Sequence, residues 1–339
     1  MYEAFFGLRD RPFDLTSSPR FLVLTDSHRE ALRNLEYGIV SRKGITLLVG
    51  EAGSGKTTII RAAMEKQPMR VHCVHVNNPT LSRGEFIEML AAKFRLSDRA
   101  MQSKTVMLAE LERLLLERRD ADETTVLIVD EAQSLPLELL EEIRLLANIE
   151  TDDEKLLSVI IAGQPELADR LNAQELRQLK QRIALRCELR QLTRVETEAY
   201  VSGRIRAAGG VASQVFTREA VALLCEAARG VPRTINVLAD NALLGGFAAG
   251  VKPVGRDLVL EVCRDFDLLG GVETSRPATP GAGLPMPRLD ALPVPAGLAG
   301  EKPVAPGAAA PGSAAASARD SELFGAFSAR RKRFSFFWN

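Results

Sequence analysis

The stretch LLVGEAGSGKTTIIRA, residues 47–62, admits few folds. Ile45 and Leu47 to Val49 form an apolar run of strand length, three glycines interrupt it, and Ile59, Ile60, Ala62 and Ala63 resume at helical spacing. A strand must therefore end close to where a helix begins. The spacing Gly50-x-x-x-x-Gly55-Lys56-Thr57 meets the phosphate-binding-loop template. Along Gly50, Glu51, Ala52, Gly53, Ser54 and Gly55 the backbone can curl so that successive N–H groups point at one anion. Lys56 reaches the terminal phosphates, the hydroxyl of Thr57 is suited to Mg²⁺, Thr58 completes the contact, and the helix adds its positive N-terminal end. The loop is expected to hold ATP with Mg²⁺.

Binding alone is not hydrolysis, which needs a carboxylate for the metal and a base for water. TTVLIVDEAQ, residues 124–133, is a β-prone run ending in two acids. Asp130 at the strand end is expected to hold Mg²⁺ through its waters, and Glu131 is the candidate general base. A solvated strand end would carry the same two acids, but their pairing with the upstream loop favours catalysis.

Strands expected at Ile45–Val49, 71–76, 125–129, 156–163 and within RIALRCELRQL, residues 182–192, alternate with helices, the pattern of a parallel, doubly wound α/β sheet buried on both faces. Ser27 with Glu30, Ser82 with Glu85 and Thr193 with Glu196 each have capping-box spacing. From Thr193 only helical patterns follow, to about residue 266. The expected division is an α/β nucleotide-binding domain with an N-terminal extension over 1–192 and a small all-helical lid over 193–270. Of residues 271–320, 29 of 50 are Ala, Gly or Pro, too few large apolar groups to offset the entropy of ordering. That stretch reads as a disordered linker, and residues 321–339 as a basic-aromatic tail.

Charge narrows the function classes. Lys and Arg total 44 and so do Asp and Glu, which leaves no overall bias toward nucleic acid. Scattered Cys73, Cys187, Cys225 and Cys263 form no metal pattern and read as reduced thiols. No signal-peptide pattern or membrane span is read from the chain, so a cytoplasmic protein, at most peripheral to the inner membrane, is expected.

MYEAFFGLRDRPFDLTSSPRFLVLTDSHREALRNLEYGI, GEAGSGKTT, LIVDEAQSL, IIAGQPEL, LKQRIALRCEL and GVPRTINVLADNALL occur in this order over about residues 1–268. Together they resemble the GspA/ExeA-type AAA+ ATPases, which are associated with general secretion, type IV pilus and related envelope-export loci in bacteria. The resemblance implies a P-loop NTPase fold with a helical lid, a nucleotide-dependent homo-oligomer, and a partner in secretion or envelope machinery. It implies that Gln164 senses the γ-phosphate, that Arg182 is an arginine finger entering the neighbouring subunit's site, that Arg233 in the lid meets the same nucleotide, and that Asn77 gates Glu131. Plainer readings stand beside these: Arg177 and Arg186 compete with Arg182, a backbone-bonded amide with Gln164, a helix cap with Arg233, and Asn78 with Asn77. The family's larger members carry a membrane span and a peptidoglycan-binding part that is not seen here. Two other functions fit the same motifs: a DNA-loading ATPase of the transposition-helper type, and a slow nucleotide-dependent switch.

In the tail, Arg330, Arg331, Lys332 and Arg333 lie between Phe324 and Phe327 on one side and Phe334, Phe336, Phe337 and Trp338 on the other. Against a terminus that does nothing, this clustering suggests docking on a partner groove or an anionic membrane surface. Deleting residues 321–339 is expected to leave ATP turnover intact and abolish envelope localisation or partner capture, measured by fractionation and pull-down. Lost turnover with unchanged localisation would refute it.

Overall fold

A computed structural model describes residues 1–15, 21–66, 70–76 and 81–268. The readings on Asn77, Asn78, the linker and the tail lie outside these residues. Five strands, β1 (Ile45–Gly50), β2 (Val71–Val76), β3 (Thr124–Val129), β4 (Leu157–Gly163) and β5 (Ile183–Leu189), form one sheet in the order β2-β3-β4-β1-β5. Every pairing is parallel. Helices α1 (Glu3–Phe6) and α2 (Asp26–Val40) precede the sheet, and α3 (Lys56–Glu65) follows β1. Between β2 and β3 lie α4 (Arg83–Phe94), α5 (Asp98–Gln102) and α6 (Lys104–Asp120). Helix α7 (Leu137–Leu146) links β3 to β4, and α8 (Pro165–Arg170) and α9 (Arg177–Gln181) link β4 to β5. After β5 come α10 (Arg194–Ala207), α11 (Ala212–Val215), α12 (Arg218–Ala228), α13 (Pro232–Ala249) and α14 (Arg256–Asp265).

Successive side chains on a strand point to opposite faces, so each central strand feeds two cores. Leu47, Val49, Leu127, Val129, Val159 and Ile161 pack with α4, α6 and α7. Their alternates Leu48, Val126, Ile128, Ile160 and Ala162 pack with α2 and α3. All six residues of β1 and all seven of β4 are buried, which explains why these strands read as unbroken apolar runs. The doubly wound sheet expected from the sequence is the one observed.

Two capping boxes form as expected. Ser82 Oγ accepts from the Glu85 N–H and the Ser82 N–H donates to Glu85; Thr193 and Glu196 repeat the arrangement. The box expected at Ser27 does not form. The N-cap of α2 lies two residues earlier, at Thr25, and the Thr25 hydroxyl turns to the His28 ring instead of the helix backbone.

The helical part has its own core, and the first residues of the chain complete it. Tyr2, Phe6, Leu8 and Phe13 are buried together with Tyr200, Ile205, Phe216, Leu238 and Leu243. Rings of Phe13 and Phe216 meet edge to face with centroids 6.1 Å apart, the Arg9 N–H donates to the Ala208 carbonyl at 2.8 Å, and Tyr2 hydrogen-bonds Asp240. The grouping of residues 1–192 is therefore corrected in its first segment, which packs with the lid. A lid of under a hundred residues buries too little of its own surface, and imported aromatics enlarge its core. Sheet and lid belong to one compact unit, so 192/193 divides two cores rather than two independent bodies. Replacing the fully buried Phe13 by Ala should lower stability by about 3–5 kcal/mol in urea unfolding followed by circular dichroism. A loss below about 1 kcal/mol would place the segment outside the core.

Candidate functional site

The phosphate loop leaves β1 at Gly50 and enters α3 at Lys56. Gly55 precedes the helix with φ +100°, a conformation that side chains with a Cβ disfavour. At Gly53, φ is +79° and an added Cβ would lie 2.6 Å from the Cβ of Arg233, so glycine permits close approach of the lid. The Arg233 N–H donates to the Gly53 carbonyl at 3.2 Å.

Lys56 is buried, and its ammonium donates to the carbonyls of Gly50 at 2.8 Å and Glu51 at 3.0 Å. Burial pushes its pKa down, against the opposing pull of Glu131 and Asp130. The Thr57 hydroxyl donates to Asp130 Oδ2 at 2.7 Å, bringing the loop and the end of β3 together. These two groups supply oxygen atoms, the donors a hard divalent cation prefers, so they fit Mg²⁺.

Glu131 lies in the left-handed region at φ +55°, directly after the buried Asp130, and its N–H donates to Asp130 Oδ1 at 3.0 Å. Its carboxylate accepts from Gln133 Nε2 at 2.7 Å and from Gln164 Nε2 at 3.4 Å. Gln133 also accepts from the Gln164 N–H at 3.1 Å. One amide thus ties the end of β3 to the end of β4. Arg170 fastens the same turn by donating to the carbonyls of Gln133 and Leu135.

A cleft lies over the loop, lined by Gly53, Ser54, Gly55, Lys56, Thr57 and Thr58, with Glu131 and Arg233. Leu15, Phe21, Leu22 and Val23 line its apolar side, and Tyr200, Arg204 and Asn236 belong to the lid side. Buried Arg204 donates to the carbonyls of Pro12 and Asp14 and to the Tyr200 hydroxyl, which in turn donates to Asn236 Oδ1 at 2.9 Å. Its guanidinium also lies 5.3 Å from the Phe21 ring centroid. The N-terminal segment is thereby pinned where it passes the cleft. This part of the lining sets apolar surface beside buried polar atoms, a combination that suits a planar heterocyclic base.

The structure brings together Lys56, Thr57, Asp130, Glu131, Gln164 and Arg233, whereas Glu51 and Ala52 are exposed at the loop's shoulder. Arg182, at the C-cap of α9, is exposed and is not among the residues lining the cleft of its own chain; Arg177 and Arg186 are exposed as well. Sequence reasoning missed His28, Gln133, Arg170 and Arg204. Gln133 had a signal, lying two residues after Glu131. Arg204 had none, because nothing in a helical periodicity marks the arginine that meets a segment 190 residues away.

Residues 39–171 match the family model described as AAA domain. General secretion pathway protein A of Aeromonas hydrophila is 38% identical over 250 residues, which is 74% of this chain and 46% of that protein. The chain thus spans about half the length of this relative. Among solved structures, the ORC2 protein of Aeropyrum pernix superposes with a TM-score of 0.56 at 18% identity, covering 75% of this chain and 71% of that one. Cdc6p of Pyrobaculum aerophilum gives 0.54 at 17% identity, covering 77% and 71%. At such identities the two structures bear on the fold.

Gln133→Leu removes the 2.7 Å donor to Glu131 while keeping the side chain's size. Nucleotide affinity should stay within about twofold and turnover should fall about tenfold or more, because misplaced catalytic groups cost rate before binding. Equal losses in both would contradict this.

Proposed function

On the premise that the chain belongs to the AAA ATPases related to general secretion pathway protein A, we propose that it hydrolyses ATP with Mg²⁺ to drive assembly or operation of a bacterial envelope machine. The observation that carries this reading is the 2.7 Å bond from Thr57 to Asp130, with Lys56 and Glu131 on the same cleft. A loop that only bound nucleotide would need no carboxylate pair at its mouth.

Lys56 and the loop N–H groups bind the phosphates, and the apolar side of the cleft together with Tyr200 and Asn236 receives the base. Mg²⁺, when bound, neutralises phosphate charge. Thr57 and Asp130 are the residues that would hold it. Glu131 takes the proton from the attacking water, and Gln133 and Gln164 keep its carboxylate aimed. Arg233 carries the lid to the same phosphates, since its backbone already rests on Gly53. Arg182, outside the cleft of its own chain, acts on that of a neighbouring subunit in a nucleotide-dependent homo-oligomer. Among the described residues no helix is long and apolar enough to cross a membrane. We infer that work at the envelope proceeds through partners or a peripheral contact, for which the basic-aromatic tail is suited.

Lys56→Ala should remove most nucleotide affinity, whereas Glu131→Gln should keep affinity and reduce turnover by about 10²–10⁴-fold, the usual contribution of a general base. Parent-level hydrolysis by Glu131→Gln would exclude it as the base. Turnover per subunit should rise with protein concentration, and mixing inactive Arg182→Ala with inactive Lys56→Ala should restore activity, since one supplies an intact loop and the other an intact arginine. A concentration-independent rate without rescue would make the enzyme monomeric.

A further inference from the structure

His28 lies in the first turn of α2, is 4% exposed, and has no part in the chemistry above. Its Nε2 faces the Ser54 carbonyl oxygen at 3.1 Å, and its Nδ1 lies 2.6 Å from Thr25 Oγ1. A carbonyl only accepts, so the ring proton sits on Nε2 and Nδ1 accepts from the Thr25 hydroxyl. Burial lowers the ring's pKa, which keeps this neutral tautomer.

The consequence lies one bond further on. A peptide unit is planar and trans, so its C=O and N–H point in opposite directions. Holding the Ser54 carbonyl on the α2 side turns the Gly55 N–H the other way, toward the interior of the loop. The ring also rests against Gly55, where an added Cβ would lie 3.4 Å from Nε2. Without such a hold, a segment with glycine at two of its turns would have to lose its conformational freedom when the anion arrives. Helix α2 packs on β1 and α3, the elements on either side of the loop, and on β5, so the hold is anchored on both sides of the loop.

We propose that His28 is a positioning residue for the phosphate loop, which, by fixing the Ser54 carbonyl, aims the Gly55 N–H at the nucleotide's phosphates and raises affinity for triphosphate. The proposal rests on the reading of Gly50–Thr57 as a phosphate site. Residues that contact the base, such as those around Tyr200, are independent of it.

The test measures binding of a fluorescent ATP analogue to the full chain, its displacement by inorganic triphosphate, and the melting temperature without nucleotide. His28→Phe keeps the ring and removes the donor, whereas His28→Gln keeps an amide donor. His28→Phe should weaken the analogue and inorganic triphosphate alike by about tenfold, the effect of one hydrogen bond supporting a charged ligand. His28→Gln should stay within about threefold of the parent, with similar melting temperatures for all three. Parent-like affinity in His28→Phe, or a His28→Gln as weak as His28→Phe, overturns the proposal. Should His28→Phe fail to fold, Thr25→Val, which removes the partner of Nδ1, takes its place. It should lose affinity for inorganic triphosphate, and parent-like affinity there is equally fatal. A parent chain that binds neither the analogue nor inorganic triphosphate sinks the phosphate-site reading and this proposal with it.

Discussion

The hydrogen bond from the Thr57 hydroxyl to Asp130 fixes the geometry on which the site depends. It joins residues 73 positions apart, in the first turn of α3, which follows β1, and at the end of β3, strands that are not neighbours because β4 runs between them. Only a parallel sheet delivers both at the same edge, since every strand then ends on the same side. The third strand of the group, β4, ends at Gly163 and presents Gln164 to Glu131 at that edge. The buried double core serves this alignment: a slip of one residue in any strand would exchange its two faces and move its terminal side chain out of the site.

Burying charge beside the cleft carries a cost that is offset locally. Lys56 is surrounded by the carbonyls of Gly50 and Glu51, and Arg204 by those of Pro12 and Asp14. In each case an unsatisfied buried cation would be far more costly than the hydrogen bonds it makes are stabilising. For Lys56 the carbonyls hold an ammonium on the wall of the cleft. For Arg204 the result is mechanical. One guanidinium binds the N-terminal segment to α10, and through Tyr200 and Asn236 to α13, which ties residues beside the cleft to the lid.

The N-terminal segment thus links three parts. Its aromatics complete the lid core, Phe21 to Val23 border the cleft, and Thr25 and His28 reach the phosphate loop. The lid also meets the phosphate loop directly, through the contact of Arg233 with Gly53.

The sequence by itself determined the α/β class, the strand-loop-helix around Lys56, the acids at the end of β3 and two of the three capping boxes, for a common reason. Each rests on neighbours within a few positions, where periodicity, glycine placement and side-chain reach are local matters. Tertiary structure alone decided which core would receive Tyr2, Phe6, Leu8 and Phe13, that Thr25 would turn from its helix to His28, and that Arg204 would meet the carbonyls of Pro12 and Asp14. Aromatic residues without periodicity carry no address, and a backbone carbonyl is the same in every residue. Their partners are chosen by which surfaces remain uncovered and which buried donors remain unsatisfied once the sheet and lid have formed.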